Sequence, residues 1–274
     1  MSHARLRLRV LASGSSGNAA LLTAFEGTRR HDLLIDLGLS PRRLRGLLRA
    51  EGADLESLHG VLLTHGDVDH LHTGWARGWP SLMAPPVVVR PEHGHLLPRA
   101  GLPHAPTRWI AEPLDIGPFR ISAAALPHDR EGSTAFRVDF ADIGVGWATD
   151  MGRVPPTLPQ LLDGVRLLAL ESNYDPPMQM ASPRPDYLKH RIMDGSGHLS
   201  NAQALELVHT LHAQGTSPEH IVLLHLSEQC NDAALVQALW KRDAAHLAAR
   251  MRVAARREPT DPIEVIATAP LASA

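Results

Sequence analysis

The chain has 274 residues, 44% of them hydrophobic and 20% charged, with a formal net charge of −2. That is long enough for one large domain or two small ones, with the balance of a folded globular chain. The near-neutral charge excludes a global pull toward nucleic acid, and no apolar run approaches the roughly 20 residues that cross a bilayer. A single cysteine, Cys230, excludes an internal disulfide and any cysteine-rich zinc site, so a metal here must use histidine and carboxylate. The opening residues Met1-Ser2-His3-Ala4-Arg5 lack the apolar core of a secretion signal, and the expectation is a cytoplasmic protein without membrane contact.

In chain order, residues 5–10 alternate polar and apolar, which predicts a half-buried strand. Ser13-Gly14-Ser15-Ser16-Gly17-Asn18 reads as a loop, followed by strands over 19–24 and 33–35. Ser40-Pro41 predicts a helix start, with Ser at the N-cap and Pro at the first position, running over 42–50. A short apolar strand over 61–63 leads straight into Thr64-His65-Gly66-Asp67-Val68-Asp69-His70. Further strands are predicted over 87–89, 119–125, 135–140, 143–148, 165–170, 221–224 and 263–267. Ser200-Asn201 caps a helix to about 212, and Asn231-Asp232 caps a longer one from 233 to about 252. The patches Pro155-Pro156, Pro176-Pro177 and Pro183-Arg184-Pro185 read as surface loops, and the end of the chain reads as a flexible tail. Strands in both halves with helices between them predict a layered α/β single domain over 1–274.

His65, Asp67, Asp69 and His70 fall within six residues at a strand end, where an irregular turn can aim several side chains into one cavity. Histidine nitrogens with carboxylate oxygens suit zinc, manganese or iron. The plainer reading is a polar turn in which Asp69 caps a helix. His128, Asp150 and His225 each stand where another apolar strand stops, repeating one pattern of strand, ligand type and loop.

With those residues in place, the chain resembles the metallo-β-lactamase superfamily, and within it the WalJ/YycJ-type branch. The resemblance rests on the stretch from Leu11 to Asn18, Thr64 to His70, His128-Asp129, Ala148-Thr149-Asp150, Glu171-Ser172-Asn173, Gly197-His198-Leu199-Ser200-Asn201, and His225-Leu226-Ser227 with Asn231, in family order. It implies an αββα sandwich. It also implies two divalent metal ions, zinc or manganese with iron as a third candidate: one on His65, Asp67 and His128, the second on Asp69, His70 and His225, with Asp150 bridging. Asp67 stands where the family motif has a histidine, which implies a harder metal or a weaker hold on the first ion. Tyr174 stands where the branch has a histidine.

The activity implied is phosphodiester hydrolysis by hydroxide held between two metals, of the 5′-to-3′ DNA exonuclease kind. Asp69 would orient the nucleophile. His198, oriented by Glu171, would serve the leaving oxygen. Ser200, Asn201, Ser16 and Asn18 are candidate substrate-binding residues, although helix capping accounts for Ser200 and a tight turn for the loop of Ser16 and Asn18. The arginines near the C-terminus read either as a phosphate track or as a solvated face. Two other readings stay open: a hydrolase of a small ester, thioester or lactam, and a degenerate metal-binding scaffold that acts by interaction.

Overall fold

The computed structural model describes residues 3–270. They form fourteen strands, numbered here in chain order, in two seven-stranded sheets. The contacts divide the chain into two compact units. The first takes residues up to Ala123, then Val138–Ile143 and the stretch from Arg257 onward; the second takes Ala124–Arg137 and Gly144–Arg256.

The first unit is built on β1 (His3–Ala12), β2 (Ala19–Glu26), β3 (Arg29–Ile35), β4 (Gly60–Leu62), β5 (Val87–Val89), β6 (Thr107–Trp109) and β14 (Ile263–Pro270), in the order β14-β1-β2-β3-β4-β5-β6. The alternation seen in the sequence governs β1: Leu6, Leu8 and Val10 are buried opposite Ala24, Leu22 and Ala20 of β2, while Arg5, Arg7 and Arg9 take the other face. From β3 to β6 the strands run parallel, with Ile35 beside Leu62. This unit has its own core, in which Leu34, Leu44, Leu48, Val61 and Trp75 are fully buried. Trp75 donates to the carbonyls of Leu37 and Leu39, which fixes it as a packing residue of this core.

The second sheet runs β13-β12-β11-β10-β9-β8-β7, with β7 at Leu114–Ile116, β8 at Phe119–Leu126, β9 at Ser133–Phe140, β10 at Ile143–Ala148, β11 at Leu167–Glu171, β12 at His220–Leu224 and β13 at Met251–Val253. Strands β10 to β13 are parallel, and β10 and β11 are buried along their whole length. That explains their continuous apolar sequences, because a parallel strand is covered on both faces. Their core gathers Leu168, Leu170, Leu207, Leu211, Leu223 and Trp240.

Three expectations need correction. The helix predicted to about 252 ends at Asp243; after Ala244, at φ −142°, a short turn of helix leads into β13, which adds to the parallel edge beside β12. Pro176-Pro177 does not form a loop but starts a helix, Pro176–Ala181, whose N-cap Asp175 accepts from the Met178 amide; proline suits the first helical positions because their N–H groups lack intrahelical acceptors. Pro185 likewise precedes a helix, Asp186–Met193. The last strand extends to Pro270, and the predicted tail beyond it lies outside the described residues. No helix among the described residues is long and apolar enough to cross a membrane.

Candidate metal centre

In the first unit, the ends of the adjacent parallel strands β3 and β4 carry the site residues. Asp36 follows β3 and is fully buried, and its carboxylate organises the turn after β4. Oδ1 accepts from the Thr64 amide at 2.8 Å and from its hydroxyl at 2.9 Å, while Oδ2 meets His70 Nδ1 at 2.7 Å. The turn closes on itself, since the Asp67 carbonyl accepts from the amides of His70 and Leu71. His65 and His70 are buried with ring centroids 4.2 Å apart. Asp69 is half-buried, whereas the Asp67 side chain is 58% exposed, with Oδ2 3.6 Å from His65 Nε2.

Asn18 locks this turn from the other side. Its amide N–H donates to the Asp69 carbonyl at 2.7 Å, and its side-chain nitrogen lies 2.9 Å from His70 Nε2 and 3.4 Å from Asp69 Oδ2. Its side-chain oxygen Oδ1 accepts from the Gly14 amide at 2.8 Å. Gly38 is required beneath: a β-carbon there would stand 1.7 Å from the Asp69 carbonyl oxygen. Ser16 is exposed at the tip of the same loop.

In the second unit, Asp150, Glu171 and His225 stand at the C-terminal ends of β10, β11 and β12, three neighbouring parallel strands. Parallel register brings these ends together, with Ala148 beside Leu170 and Glu171 beside Leu224. Neighbouring strands lie about 4.8 Å apart, so residues at their ends converge without a long loop. One ligand atom each from Asp150, Glu171, His198 and His225 lies within 4.8 Å of the others, a donor set fit for a divalent metal ion. His198 Nδ1 meets Glu171 Oε1 at 2.6 Å, and Glu171 Oε2 accepts from the amides of Met151 at 2.9 Å and Leu199 at 3.2 Å. Burial alone would raise the Glu171 pKa, but the His198 charge, with hydrogen bonds from His198 and His225, outweighs it and holds the carboxyl below the usual range. His128 sits beside this group, its ring centroid 5.2 Å from that of His198, and its Nδ1 donates to the Gly197 carbonyl at 2.8 Å.

Positive φ at non-glycine residues marks these loops. Among the described residues it occurs at Asp36 (63°), Asp129 (40°), Asp150 (57°) and His225 (56°), and outside the site at Met83 and Ala141. A left-handed residue at a strand end turns the side chain out of the sheet's alternation, and such strain clusters at functional sites.

Two of the candidate substrate-binding residues have structural partners. Ser200 forms a capping box with Gln203 at the start of the helix Asn201–Ala213. Asn201 is buried, with its Oδ1 accepting from the Ser172 hydroxyl at 2.6 Å and its Nδ2 donating to Asn231 Oδ1 at 2.9 Å. Tyr174 is buried beside Ser200, and burial, with the Glu171 charge, pushes its phenol pKa up. Sequence reasoning misses Asp36 and assigns no role to Asn173, whose Nδ2 donates to the His225 carbonyl at 2.7 Å. Asp36 was findable, because Leu33-Leu34-Ile35-Asp36 repeats the pattern of an apolar strand ending in an acid.

A family model described as beta-lactamase superfamily domain matches residues 31–225. Exodeoxyribonuclease WalJ of Streptococcus pneumoniae serotype 2 (strain D39 / NCTC 7466) is 27% identical over 236 residues, covering 84% of this chain and 85% of that protein. Exodeoxyribonuclease YycJ of Bacillus anthracis is 26% identical over 230 residues, covering 81% and 83%. Among solved structures, the metallo-beta-lactamase fold protein YhfI from Bacillus subtilis matches with a TM-score of 0.66 at 17% identity, over 93% of this chain and 99% of that one. That likeness shows the fold, the layered α/β architecture expected from the sequence.

Proposed function

Because the chain belongs to the beta-lactamase superfamily, we propose that it is a metal-dependent phosphodiesterase of the nuclease type, a 5′-to-3′ DNA exonuclease. The observation that carries this reading is the buried Glu171 carboxylate fixed on His198 beside Asp150 and His225. The pair is placed to protonate a leaving group, and the similarity to the exodeoxyribonucleases favours the leaving oxygen of a phosphodiester over that of an ester or the nitrogen of a lactam. The resemblance to the exodeoxyribonucleases, which spans both units, supports DNA as substrate and one functional domain.

The donor chemistry fits divalent cations. Ligating histidines characteristically donate their second ring nitrogen to a carboxylate or carbonyl. His70 does so to Asp36 and His128 to Gly197. On the family pattern, His65, Asp67 and His128 would hold one cation and Asp69, His70 and His225 the other, with Asp150 serving both. Asp67 favours manganese over zinc, as an anionic oxygen in place of a nitrogen ligand. Bound cations would supply a water of lowered pKa and neutralise charge on the phosphate oxygens.

The chain's own residues do the rest. Asp69 orients the attacking water. Glu171 fixes His198 through Nδ1, so Nε2 serves the leaving oxygen as general acid. The amides of Met151 and Leu199 keep Glu171 from rotating away. Asn18 acts on the ligand turn, and Ser16 remains the loop residue exposed to substrate.

The test is metal analysis of the purified chain, together with hydrolysis of bis-p-nitrophenyl phosphate and of labelled single- and double-stranded DNA and RNA in manganese, zinc and magnesium. Two cations per chain and shortening of DNA from its 5′ end are expected. Turnover of esters or lactams with phosphodiesters left intact would overturn the reading. So would a metal-free chain without activity in any of the three metals.

A further inference from the structure

The loop that carries His198 is flanked by two arginines. Arg191, in the helix Asp186–Met193, lays its guanidinium on Asp129: Nε donates to Oδ1 at 2.8 Å and Nη2 donates to Oδ2. Arg153 Nη1 donates to the Gly195 carbonyl at 3.0 Å. The backbone between them packs without slack. The Asp129 amide donates to the Ser196 carbonyl at 2.7 Å, and a β-carbon on Gly152 would stand 2.2 Å from the Gly195 carbonyl carbon.

Each arginine therefore holds a segment that packs with the loop of His198: Arg153 the Gly195 carbonyl, and Arg191 the Asp129 carboxylate. Asp129 Oδ2 lies 4.0 Å from His128 Nε2, and the loop's Gly197 carbonyl holds His128 Nδ1. The Arg191 side chain is 59% exposed against 26% for Asp129, so the cation is the outer member of the pair. Arg153 is exposed as well. Asp194, the acid of the same turn, accepts from the Ser196 amide and hydroxyl at 2.9 and 2.6 Å. A guanidinium keeps its charge beside a carboxylate or carbonyl, and its planar fork matches phosphate. Fixing that fork beforehand reduces the entropy lost on binding.

Three of the C-terminal arginines have other partners. Arg256 donates to the carbonyls of Leu226 and Ser227, just after His225, and so braces that loop. Arg250 meets Ser217 and Pro218, and Arg242 pairs with Asp243.

Resting on the phosphodiesterase reading above, we infer that Arg153 and Arg191 form a phosphate-binding rim that grips a nucleic-acid phosphate other than the one being cut. The test uses the metal-loaded full chain and a fluorescein-labelled single-stranded oligodeoxynucleotide. Anisotropy gives the dissociation constant across a sodium chloride series. Turnover is followed on the same oligonucleotide and on bis-p-nitrophenyl phosphate, which has no second phosphate.

In the double variant Arg153→Ala/Arg191→Ala the dissociation constant rises tenfold or more at low salt. The slope of log affinity against log salt falls by about 0.7 per arginine, as for single-strand phosphate contacts. The oligonucleotide KM rises at least tenfold more than that of bis-p-nitrophenyl phosphate. The paired lysine variant, which keeps charge and loses the fork, restores the slope and only part of the affinity; this separates a lost contact from a lost fold. Arg242→Ala leaves affinity and slope as in the wild type. Unchanged affinity and slope in the double alanine variant overturn the rim. If the wild type hydrolyses neither substrate, the phosphodiesterase reading fails, and the anisotropy arm still decides whether the rim binds phosphate.

Discussion

Around His65 the candidate ligands come from one turn of six residues, whereas around Glu171 each comes from a different strand end or loop, with at least 20 residues between successive ones. The first arrangement concentrates its dependence. Thr64, Asp69 and His70 hang on two buried anchors, Asp36 and Asn18, so one lesion moves several donors. The second arrangement spreads its dependence over the register of β10, β11 and β12, so a lesion at one end leaves the others in place. A ligand set encoded in one turn is quick to read and easy to break, and a set encoded by sheet register is the reverse.

The largest test of that contrast is Asp36→Ala. It removes the acceptor for the Thr64 amide and hydroxyl and the partner of His70 in a fully buried place. Urea unfolding should show a loss of about 3–5 kcal/mol, as for other broken buried pairs. Metal affinity, read by competition with a chelating dye, should fall about 10- to 100-fold. A loss below about 1 kcal/mol with affinity intact would show that the turn stands without its anchor.

Next comes His198→Ala, in the distributed set. Turnover of bis-p-nitrophenyl phosphate should fall about 10²- to 10⁴-fold, the usual worth of a general acid. Bound metal, measured by plasma mass spectrometry, should stay at the wild-type level. Metal lost along with turnover would make His198 a ligand, in keeping with its place beside Asp150, Glu171 and His225.

The smallest effects come from a matched pair of glycines. A methyl group on Gly38 meets the Asp69 carbonyl oxygen at 1.7 Å, and one on Gly152 meets the Gly195 carbonyl carbon at 2.2 Å. Each alanine variant should lose about 1–3 kcal/mol through overpacking. Gly38→Ala should lower metal occupancy, and Gly152→Ala should lower turnover at saturating metal by displacing the loop of His198. If both variants shed metal alike, the two regions are not as independent as their chain layout implies.

The contrast also explains what was legible in the sequence. The turn from Thr64 to His70 announces itself because its donors are neighbours in sequence. His128, Asp150 and His225 became legible only as repeats of one pattern at strand ends. Asp36 carries the same mark and was passed over, because burial, which converts it from a turn residue into an anchor, is a tertiary property. Asn18 reads in the sequence as a substrate contact; its side-chain nitrogen turns inward onto Asp69 and His70 and its oxygen onto the Gly14 amide, which composition cannot show. The strands were legible from alternation in β1 and from apolar runs in β10 to β12. The end of the Ala233–Asp243 helix was not, since the apolar spacing continues through Leu247 while the edge of β12 claims the chain for pairing.

The left-handed backbone at Asp36, Asp150 and His225 sets the fold's preferences against its chemistry. Each such residue carries a conformational penalty of about 1–3 kcal/mol that glycine would not, and asparagine would feel less of it. At Asp150 and His225 a search for thermal stability alone would therefore be drawn to glycine, and it would erase two donors in the same steps; at Asp36 the lost buried anchor outweighs the relief of strain. Screens that rank variants of this chain by melting temperature should hold these positions fixed, because here a stabilising substitution and a disabling one can be the same residue change.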